Sequence, residues 1–255
     1  MSRLILMAND DVGLNITKYL IASGEEIIRL YLHEKANQSK GEDIIEASNC
    51  KEGQYFLANC LKDAKHIQSL QELNADFIIT VYWAHLLSND VIQCANDSVN
   101  FHPAPLPINK GWYPHVHSII DGSALGVTLH RIEIGADTGP IWAQKKLELG
   151  LYETSKEIYQ RLKNEIFILF AANWGKIKSG EIQPVNQVGQ GNYHKKNEIQ
   201  DLDCISLEQT TTAKSLINKL RARSFGNKGF AYYVENGERV YLNLRMNNST
   251  NFEKK

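Results

Sequence analysis

The sequence predicts an α/β fold with a mostly parallel sheet and helices on both faces, and three observations support this. The chain opens with an apolar run, Arg3–Ala8, followed by a segment with helical spacing, Val12–Ala22, and a second apolar run, Glu26–His33. A strand, a helix and a strand in this order favour parallel pairing through a right-handed crossover. Two further β-prone runs, Asp76–Trp83 and Ser98–His102, then extend the same sheet.

The middle of the chain continues this alternation of helices and strands. Helices are predicted over Glu42–Ala47, His66–Leu73, Asp90–Ala95 and Trp112–Gly122, and strands over Ala124–Ile132 and Ile141–Leu149. Thr154 and Glu157 have the spacing of a capping box, which opens a long amphipathic helix that fades near Gly180.

A change in composition beyond Gly180 predicts two domains, residues 1–180 and 181–255. The second, smaller domain is expected to carry a helix over Thr210–Arg223 and to end in a β-hairpin over Phe230–Leu244. Asn236-Gly237 is the two-residue turn that such a hairpin prefers. The last nine residues are predicted to form a polar tail.

The charge balance and the cysteines exclude several classes of protein. The 255 residues carry 28 Lys plus Arg against 29 Asp plus Glu, so nothing indicates a nucleic acid or an anionic membrane as partner. The four cysteines are scattered and form no C-x-x-C pair, which favours reduced thiols over a disulfide framework. No segment reaches the ~20 apolar residues of a membrane span, and the first apolar run is too short for a signal peptide. We therefore expect a soluble cytoplasmic protein.

The most informative stretch is Ser98–Trp112, taken together with the Gly-bounded turn that contains Asp137. Asn100 and His102 share one face of the predicted strand, and a proline-rich loop follows at once. Alone, each residue is more often a cap or a satisfied polar group than a catalyst. An amide, an imidazole and a carboxylate that converge on one end of a sheet are instead typical of an active site.

Other familiar sites are absent from the sequence. The turn after the first strand, Asn9–Gly13, lacks the G-x-G-x-x-G pattern, and its acidic residues would repel a pyrophosphate. No Walker motif occurs, and no His, Cys or Asp spacing indicates a metal site. Tyr82 and Trp83, at the end of a predicted strand, can be either the last core residues or part of a ligand pocket.

Asn-x-His, a proline-rich loop and a D-x-G turn ahead of a strand resemble the folate-dependent formyltransferases. The similarity runs from about residue 75 to 175 and is weaker at both ends. It implies a Rossmann-like fold, with 10-formyltetrahydrofolate as cosubstrate and no metal. Asn100, His102 and Asp137 map onto the family's catalytic set. Which of His102 and Asp137 is the immediate base stays open.

The resemblance also implies where the ligands bind. The pterin is expected after the strand that ends near Tyr82, with contacts from these residues: Tyr82, Trp83, His85, Leu86, Leu87 and Asp137. Lys110–His115, Tyr193–Lys196 and the closing hairpin look most like the family members that act on dTDP-linked amino-dideoxyhexoses. The residues expected to bind that substrate are Lys110, Trp112, Tyr113, His115, Tyr193, Lys195, Lys196, Arg223, Phe225 and Tyr232.

The resemblance thus predicts formyl transfer to a nucleotide-linked aminosugar for surface polysaccharide (O-antigen, lipopolysaccharide) synthesis, by an enzyme that forms a homodimer. Three alternatives stay open: a methionyl-tRNA formyltransferase, a formyltetrahydrofolate hydrolase and a non-catalytic sugar-nucleotide binder. From Glu181 onward the chain has 11 Lys plus Arg against 8 Asp plus Glu and ends after one hairpin, which argues against tRNA. The position of the amine (C3 or C4), the sugar's stereochemistry and the base (dTDP, UDP or GDP) are not determined.

Overall fold

A computed structural model describes residues 1–247 and contains one central sheet of seven strands. Its strands are β1 (Arg3–Ala8), β2 (Glu26–Leu32), β3 (Tyr55–Leu57), β4 (Ala75–Val81), β5 (Ala95–His102), β7 (Leu125–His130) and β8 (Ile141–Leu147). Their order is β3-β2-β1-β4-β5-β7-β8. The first five pair in parallel, whereas β7 runs antiparallel to β5. The predicted α/β class with a mostly parallel sheet is therefore confirmed.

Six further strands are short and lie outside this sheet: β6 (Lys110–Gly111), β9 (Tyr193–His194), β10 (Ser224–Phe225), β11 (Lys228–Gly229), β12 (Tyr232–Glu235) and β13 (Glu238–Tyr241). The helices are α1 (Asp10–Ala22), α2 (Gly41–Ser48), α3 (Ala64–Gln71), α4 (Asn89–Ile92), α5 (Pro114–Asp121), α6 (Ser155–Lys178), α7 (Glu198–Asp201) and α8 (Ala213–Ala222). None of the helices described carries an apolar stretch sufficient to span a lipid bilayer.

Several local predictions are confirmed for the physical reasons given above. In the capping box, the Thr154 amide donates to the Glu157 carboxylate over 3.0 Å. The β12–β13 hairpin turns at Asn236 and Gly237, whose φ angles of 50° and 82° are those of a type I′ turn. The predicted polar tail, apart from Asn247, lies outside the described residues.

Two of the element ends that differ from prediction lie next to a residue with a left-handed backbone. β4 ends at Val81 rather than Trp83, since Tyr82 adopts a left-handed conformation with φ 52°. α5 begins at Pro114 rather than Trp112, since Tyr113 is left-handed at the N-cap. Bulky residues rarely adopt positive φ, so both turns are imposed by their surroundings.

The chain forms two compact units. The first contains residues 1–102, 128–144 and 164–188, and the second contains 103–127, 145–163 and the chain from 189 onward. The core of the first unit is built on β1, whose residues Leu4–Ala8 have no exposed surface. Phe170 and Trp174 of α6 are fully buried and stack on each other with ring centroids 5.3 Å apart. This grouping by compactness differs from the predicted division at residue 180, which stays a prediction.

Candidate active site

Three polar side chains stand side by side on adjacent strands of the central sheet. Thr80 of β4 is level with Asn100 of β5, and Asn100 is level with His130 of β7. Adjacent strands lie about 4.8 Å apart, so side chains on one face at the same level contact each other directly. The sheet register therefore builds a row of three polar side chains across β4, β5 and β7.

Asn100 is bonded through both ends of its side-chain amide. Its carbonyl oxygen Oδ1 accepts from the Thr80 hydroxyl over 2.6 Å. Its Nδ2 lies 2.8 Å from His130 Nε2 and 3.4 Å from Asp137 Oδ1. The contact with Asp137 is long for an N–H···O bond, so this N–H of Asn100 is the more weakly held of the two.

His130 has a defined tautomer. Its Nδ1 lies 2.7 Å from the carbonyl oxygen of Arg131, which can only accept, so Nδ1 carries the proton. Nε2 of the neutral ring is then an acceptor, which matches the Asn100 amide that faces it. His130 is 2% exposed and is the functional candidate that sequence reasoning missed.

Asp137 joins the two histidines. Its Oδ2 lies 3.4 Å from His102 Nδ1, and its Oδ1 lies 3.4 Å from His130 Nε2. The His102 and His130 side chains are 5% and 3% exposed, and that of Asp137 is 13% exposed. The structure thus brings together the predicted set of Asn100, His102 and Asp137 in a site largely shielded from water, where electrostatic interactions are strong.

The turn that carries Asp137 is held from both sides. The Asp137 backbone is left-handed with φ 55°, a conformation that Asp tolerates. Gln187 Nε2 donates to the carbonyl oxygens of Asp137 and Gly139, each over 2.8 Å. A β-carbon at Gly139 would overlap the carbonyl oxygen of Arg131, so this turn requires glycine there. We expected the turn that carries Asp137 to follow a parallel strand of the sheet. It follows β7 instead, which is antiparallel to β5.

The segment after β4 presents its backbone rather than its aromatic side chains. Trp83 stacks on His33 with ring centroids 4.4 Å apart, and His85 Nε2 lies 3.7 Å from a carboxylate oxygen of Glu34. Trp83 and Leu87 pack against the core, whereas Leu86 is 73% exposed. Within residues 1–247, no group accepts from the backbone amides of 83–87 or from the shielded Trp83 indole N–H.

In the second unit, two predicted substrate segments form one surface. β6 and β9 pair in parallel, with Lys110 level with Tyr193 and Gly111 level with His194. The Trp112 amide donates to the His194 carbonyl oxygen over 3.0 Å. The Lys196 ammonium lies 4.7 Å from the centre of the Trp112 ring, a cation–π distance. These residues come from segments about eighty positions apart in the sequence.

Asn109 and His194 anchor this surface. Asn192 Nδ2 donates to Asn109 Oδ1 over 3.0 Å, and His194 Nε2 lies 3.1 Å from the same oxygen. The His194 ring stacks on that of His117 at 3.4 Å and 7°. Burial, then the nearby His194, lowers the pKa of His117 to about 4. His117 is therefore neutral at physiological pH.

Four predicted substrate residues are engaged within the protein. His115 is 7% exposed, and burial followed by Arg223 lowers its pKa to about 3, so it offers no positive charge. Arg223 is 8% exposed and forms a bidentate ion pair with Asp203. Phe225 packs near Tyr159, and Tyr232 packs on Tyr241 of the hairpin. The ligand contacts predicted for these four residues stay predictions.

Two side-chain groups in the described chain have the composition of a metal site, His33–Glu34–His85 and His117–His194–Glu198. In the second group the imidazole planes are parallel and 3.4 Å apart. A ligand nitrogen points at its metal within the plane of its own ring, so two parallel rings do not aim at one ion. In the first group the His85–Glu34 contact at 3.7 Å is that of an exposed ion pair.

A match to a known family identifies the family of this chain. A family model described as "Formyl transferase" matches residues 27–171, more than half of the sequence. The chain belongs to the formyl transferase family. A second model, "N-formyltransferase dimerization C-terminal domain", matches residues 198–248 of this formyltransferase-family chain. The resemblance inferred from Asn100, His102 and Asp137 is thereby confirmed at the level of the family.

Individual relatives match this formyltransferase-family chain at modest sequence identity and over part of its length. It is 31% identical over 156 residues to the dTDP-4-amino-4,6-dideoxyglucose formyltransferase of Mycobacterium tuberculosis, a match covering 61% of this chain. The matched part of that relative is 65% of its length.

Solved structures confirm the fold. A 4-N formyltransferase from Francisella tularensis has a TM-score of 0.84 at 21% identity, covering 97% of this chain and 98% of that one. An N-formyltransferase from Helicobacter canadensis, in complex with folinic acid and dTDP-3-aminofucose, has a TM-score of 0.72 at 17% identity, covering 94% and 86%. At these identities the likeness establishes the α/β formyltransferase fold of the chain and nothing finer.

Proposed function

We propose that this protein transfers a formyl group from 10-formyltetrahydrofolate to the amino group of a nucleotide-linked aminosugar, with a dTDP-linked 3- or 4-amino-dideoxyhexose as the favoured acceptor. The observation that carries the proposal is the bonded set of Asn100, His102 and Asp137 at the end of β5. The set offers an amide donor, a proton acceptor and a carboxylate, which are the groups that acyl transfer to an amine requires.

Each residue has a distinct part in the proposed reaction. The bound folate supplies the formyl carbon as the electrophile. The amine forms a bond to that carbon, the bond from the carbon to the folate nitrogen breaks, and the amine loses a proton. Asn100 donates an N–H to the formyl oxygen as negative charge grows there. His102 or Asp137 takes the proton and passes it to the departing folate nitrogen, and Asp137 stabilises the positive charge of a protonated His102 in between.

The residues after β4 fit a flat heteroaromatic ring. The backbone N–H groups of 83–87 donate to no group within the described residues and can donate to ring nitrogens and carbonyls of the folate. The exposed Leu86 side chain offers apolar surface. We therefore keep Tyr82 to Leu87 as the proposed folate segment, bound mainly through its backbone. The folinic acid complex of the Helicobacter canadensis relative supports this choice of cosubstrate.

The paired β6 and β9 segments are the proposed site for the nucleotide-sugar. Lys195 and Lys196 are exposed, and Tyr193 is 49% exposed. Lys110, which pairs with Tyr193, is half-buried, and so are Trp112 and Tyr113, which follow it in the sequence. Cations beside aromatic rings suit a diphosphate attached to a base. The dTDP preference rests on the mycobacterial relative, a dTDP-4-amino-4,6-dideoxyglucose formyltransferase, and on the Helicobacter relative, whose structure is a complex with dTDP-3-aminofucose. A role in surface polysaccharide synthesis stays a prediction.

Trp112→Ala is expected to raise the KM for the aminosugar about 10-fold or more while changing the KM for the folate less than twofold. The substitution removes the ring under the Lys196 ammonium, an interaction of up to ~2 kcal/mol when desolvated, together with the ring's own contact area. Steady-state kinetics with each substrate varied in turn checks this. Tyr152→Ala, which truncates an aromatic side chain that is 51% exposed, is the matched control and should leave both KM values unchanged. Equal rises in both KM values would contradict the assignment.

The proposed reaction is tested by following tetrahydrofolate release from 10-formyltetrahydrofolate against a panel of dTDP-, UDP- and GDP-aminosugars, with an amine-free control. Release that depends on one aminosugar, with a matching mass gain of 28 Da on the sugar, is the expected result. Release without any amine would identify a hydrolase. Absence of turnover with binding of the nucleotide-sugar intact would identify a binding protein.

We further propose that the protein is a homodimer joined through its C-terminal region. The match to the dimerization-domain model over residues 198–248 supports this. The β12–β13 hairpin also exposes apolar side chains that a partner could cover, Val234, Val240 and Tyr241 at 51%, 37% and 58% exposure. Light scattering at micromolar concentration is expected to give twice the chain mass of 28.9 kDa, and a monomer mass would contradict the proposal.

A further inference from the structure

Thr80 is a polar residue inside the apolar C-terminal part of β4. It is the single polar residue in Phe77–Val81 of β4, and it is 3% exposed. Its hydroxyl lies 2.6 Å from Asn100 Oδ1, a normal distance for an O–H···O bond. A carbonyl oxygen only accepts, so Thr80 is the donor. The one polar side chain of this segment is thus bonded to the proposed oxyanion donor.

The Asn100 amide is held at two of its polar positions and is looser at the third. Thr80 holds the carbonyl oxygen, and His130 Nε2 accepts from one N–H over 2.8 Å. The other N–H reaches Asp137 Oδ1 only at 3.4 Å. Because a planar amide fixed at two atoms cannot rotate about its terminal bond, the loosely held N–H keeps a constant direction. A formyl oxygen placed along that direction can take this N–H over from Asp137 at small cost, without any rotation of the amide.

The reverse orientation of the amide is unfavourable. With Oδ1 and Nδ2 exchanged, the carbonyl oxygen would face the lone pair of His130 Nε2 and the carboxylate of Asp137. Three acceptors would then meet without a proton between them. The Thr80 hydroxyl adds a bond to the productive orientation and polarises the amide, which strengthens its N–H groups as donors.

We propose that Thr80 is a positioning residue for the transfer reaction, acting through Asn100 by fixing the direction of one amide N–H. The inference rests on the proposed function, because it assigns to Thr80 a part in the same site. Because Thr80 is 3% exposed and bonded to Asn100, we assign it no contact of its own with either substrate. It therefore affects the rate of the chemical step and not the binding of the folate or the aminosugar.

Thr80→Val removes the hydroxyl and keeps the shape and the β-branched character that a strand favours. Asn100 Oδ1 then loses its donor, and kcat is expected to fall about tenfold while both KM values stay within twofold. Thr80→Ser restores the hydroxyl and is expected to recover most of the lost kcat. A merely structural role would not give this separation, since loss of packing is not repaired by the smaller serine.

Thr17→Val is the matched control. Thr17 is fully buried in α1 and donates from Oγ1 to the Gly13 carbonyl oxygen over 2.7 Å, so the same chemical change is made away from the site. It is expected to leave kcat unchanged. In an Asn100→Ala background, Thr80→Val should have no further effect, because residues that act through one another are not additive. An additive loss in that background, or a Thr80→Val enzyme as fast as wild type, would overturn the inference.

NMR of the Asn100 side chain tests the role of Thr80 without turnover, even if the protein transfers no formyl group. In protein labelled with [15N]asparagine, the side-chain amide pair of Asn100 is assigned by its disappearance in Asn100→Ala. Thr80→Val is expected to shift both peaks and speed their exchange with water, whereas Thr17→Val leaves them in place. Unshifted peaks in Thr80→Val overturn the positioning role. Absence of aminosugar-dependent turnover in the wild-type protein would instead contradict the proposed function.

Discussion

Replacing Asn100 with alanine is expected to lower kcat for aminosugar formylation by about 100- to 1,000-fold, the typical cost of losing one oxyanion donor. Alanine removes the N–H that we propose as donor to the formyl oxygen and leaves Thr80 and His130 without their shared partner. Both effects act on the charged transition state more than on the bound substrates, so the KM values should change little.

The control for this prediction is Asn173→Ala. Asn173 lies on α6 and donates to the Leu169 carbonyl oxygen over 2.7 Å. Its replacement removes the same type of side-chain amide at a position distant in sequence from Asn100. It is expected to keep wild-type kcat. Thermal unfolding of both variants distinguishes lost chemistry from lost structure. An Asn100→Ala protein that folds normally and retains a third of wild-type kcat would falsify the oxyanion assignment.

Asp137→Asn is expected to lower kcat by about 100- to 10,000-fold, in line with neutralising the carboxylate of a catalytic triad. Asp137 contacts His102 and His130 at 3.4 Å and also faces Asn100, so one substitution removes the negative charge from the whole set. Asparagine has nearly the same shape and tolerates the left-handed conformation at this position as well as aspartate does. The variant should therefore fold normally.

Asp76→Asn is the matched control for the charge. Asp76 accepts from the Arg3 amide over 2.7 Å at the start of β4, the end of the strand opposite Thr80. Its loss is expected to affect stability slightly and kcat not at all. Asp137→Asn activity within fivefold of wild type, measured with saturating folate and aminosugar, would rule out a role for the carboxylate in proton transfer.

Much of this fold could be predicted from sequence because its signals are local. The Asn236-Gly237 turn and the Thr154–Glu157 capping box depend on residues close together in the chain, and both form as predicted. Alternation along β5 likewise predicted that Asn100 and His102 share a face. The proline-rich loop and the glycine-bounded turn marked where the chain leaves the sheet.

The remaining features depend on contacts between distant segments. Thr80 and His130 meet Asn100 only through strand register, which no local pattern encodes. A partial signal for both exists, since each is a polar residue that follows apolar neighbours in its strand, but it does not name the partner. Arg223 is a further case: its charge predicts a phosphate contact, which stays a prediction, whereas no local pattern indicates its bidentate pair with Asp203. Burial and pairing of this kind follow from the tertiary structure alone.

The pairing of β6 with β9 has a consequence for how substrate preference can evolve. The segments are joined by main-chain bonds, Lys110 to the carbonyl oxygen of Asn192 over 3.2 Å and Trp112 to that of His194 over 3.0 Å. Such bonds do not depend on the side chains that the strands carry. Residues at exposed positions such as 195 and 196 can therefore change while the paired β6 and β9 backbones beside them keep their structure. Libraries that vary these positions and spare Gly111, where a β-carbon would overlap the His194 carbonyl oxygen, offer a route to enzymes with altered acceptor range.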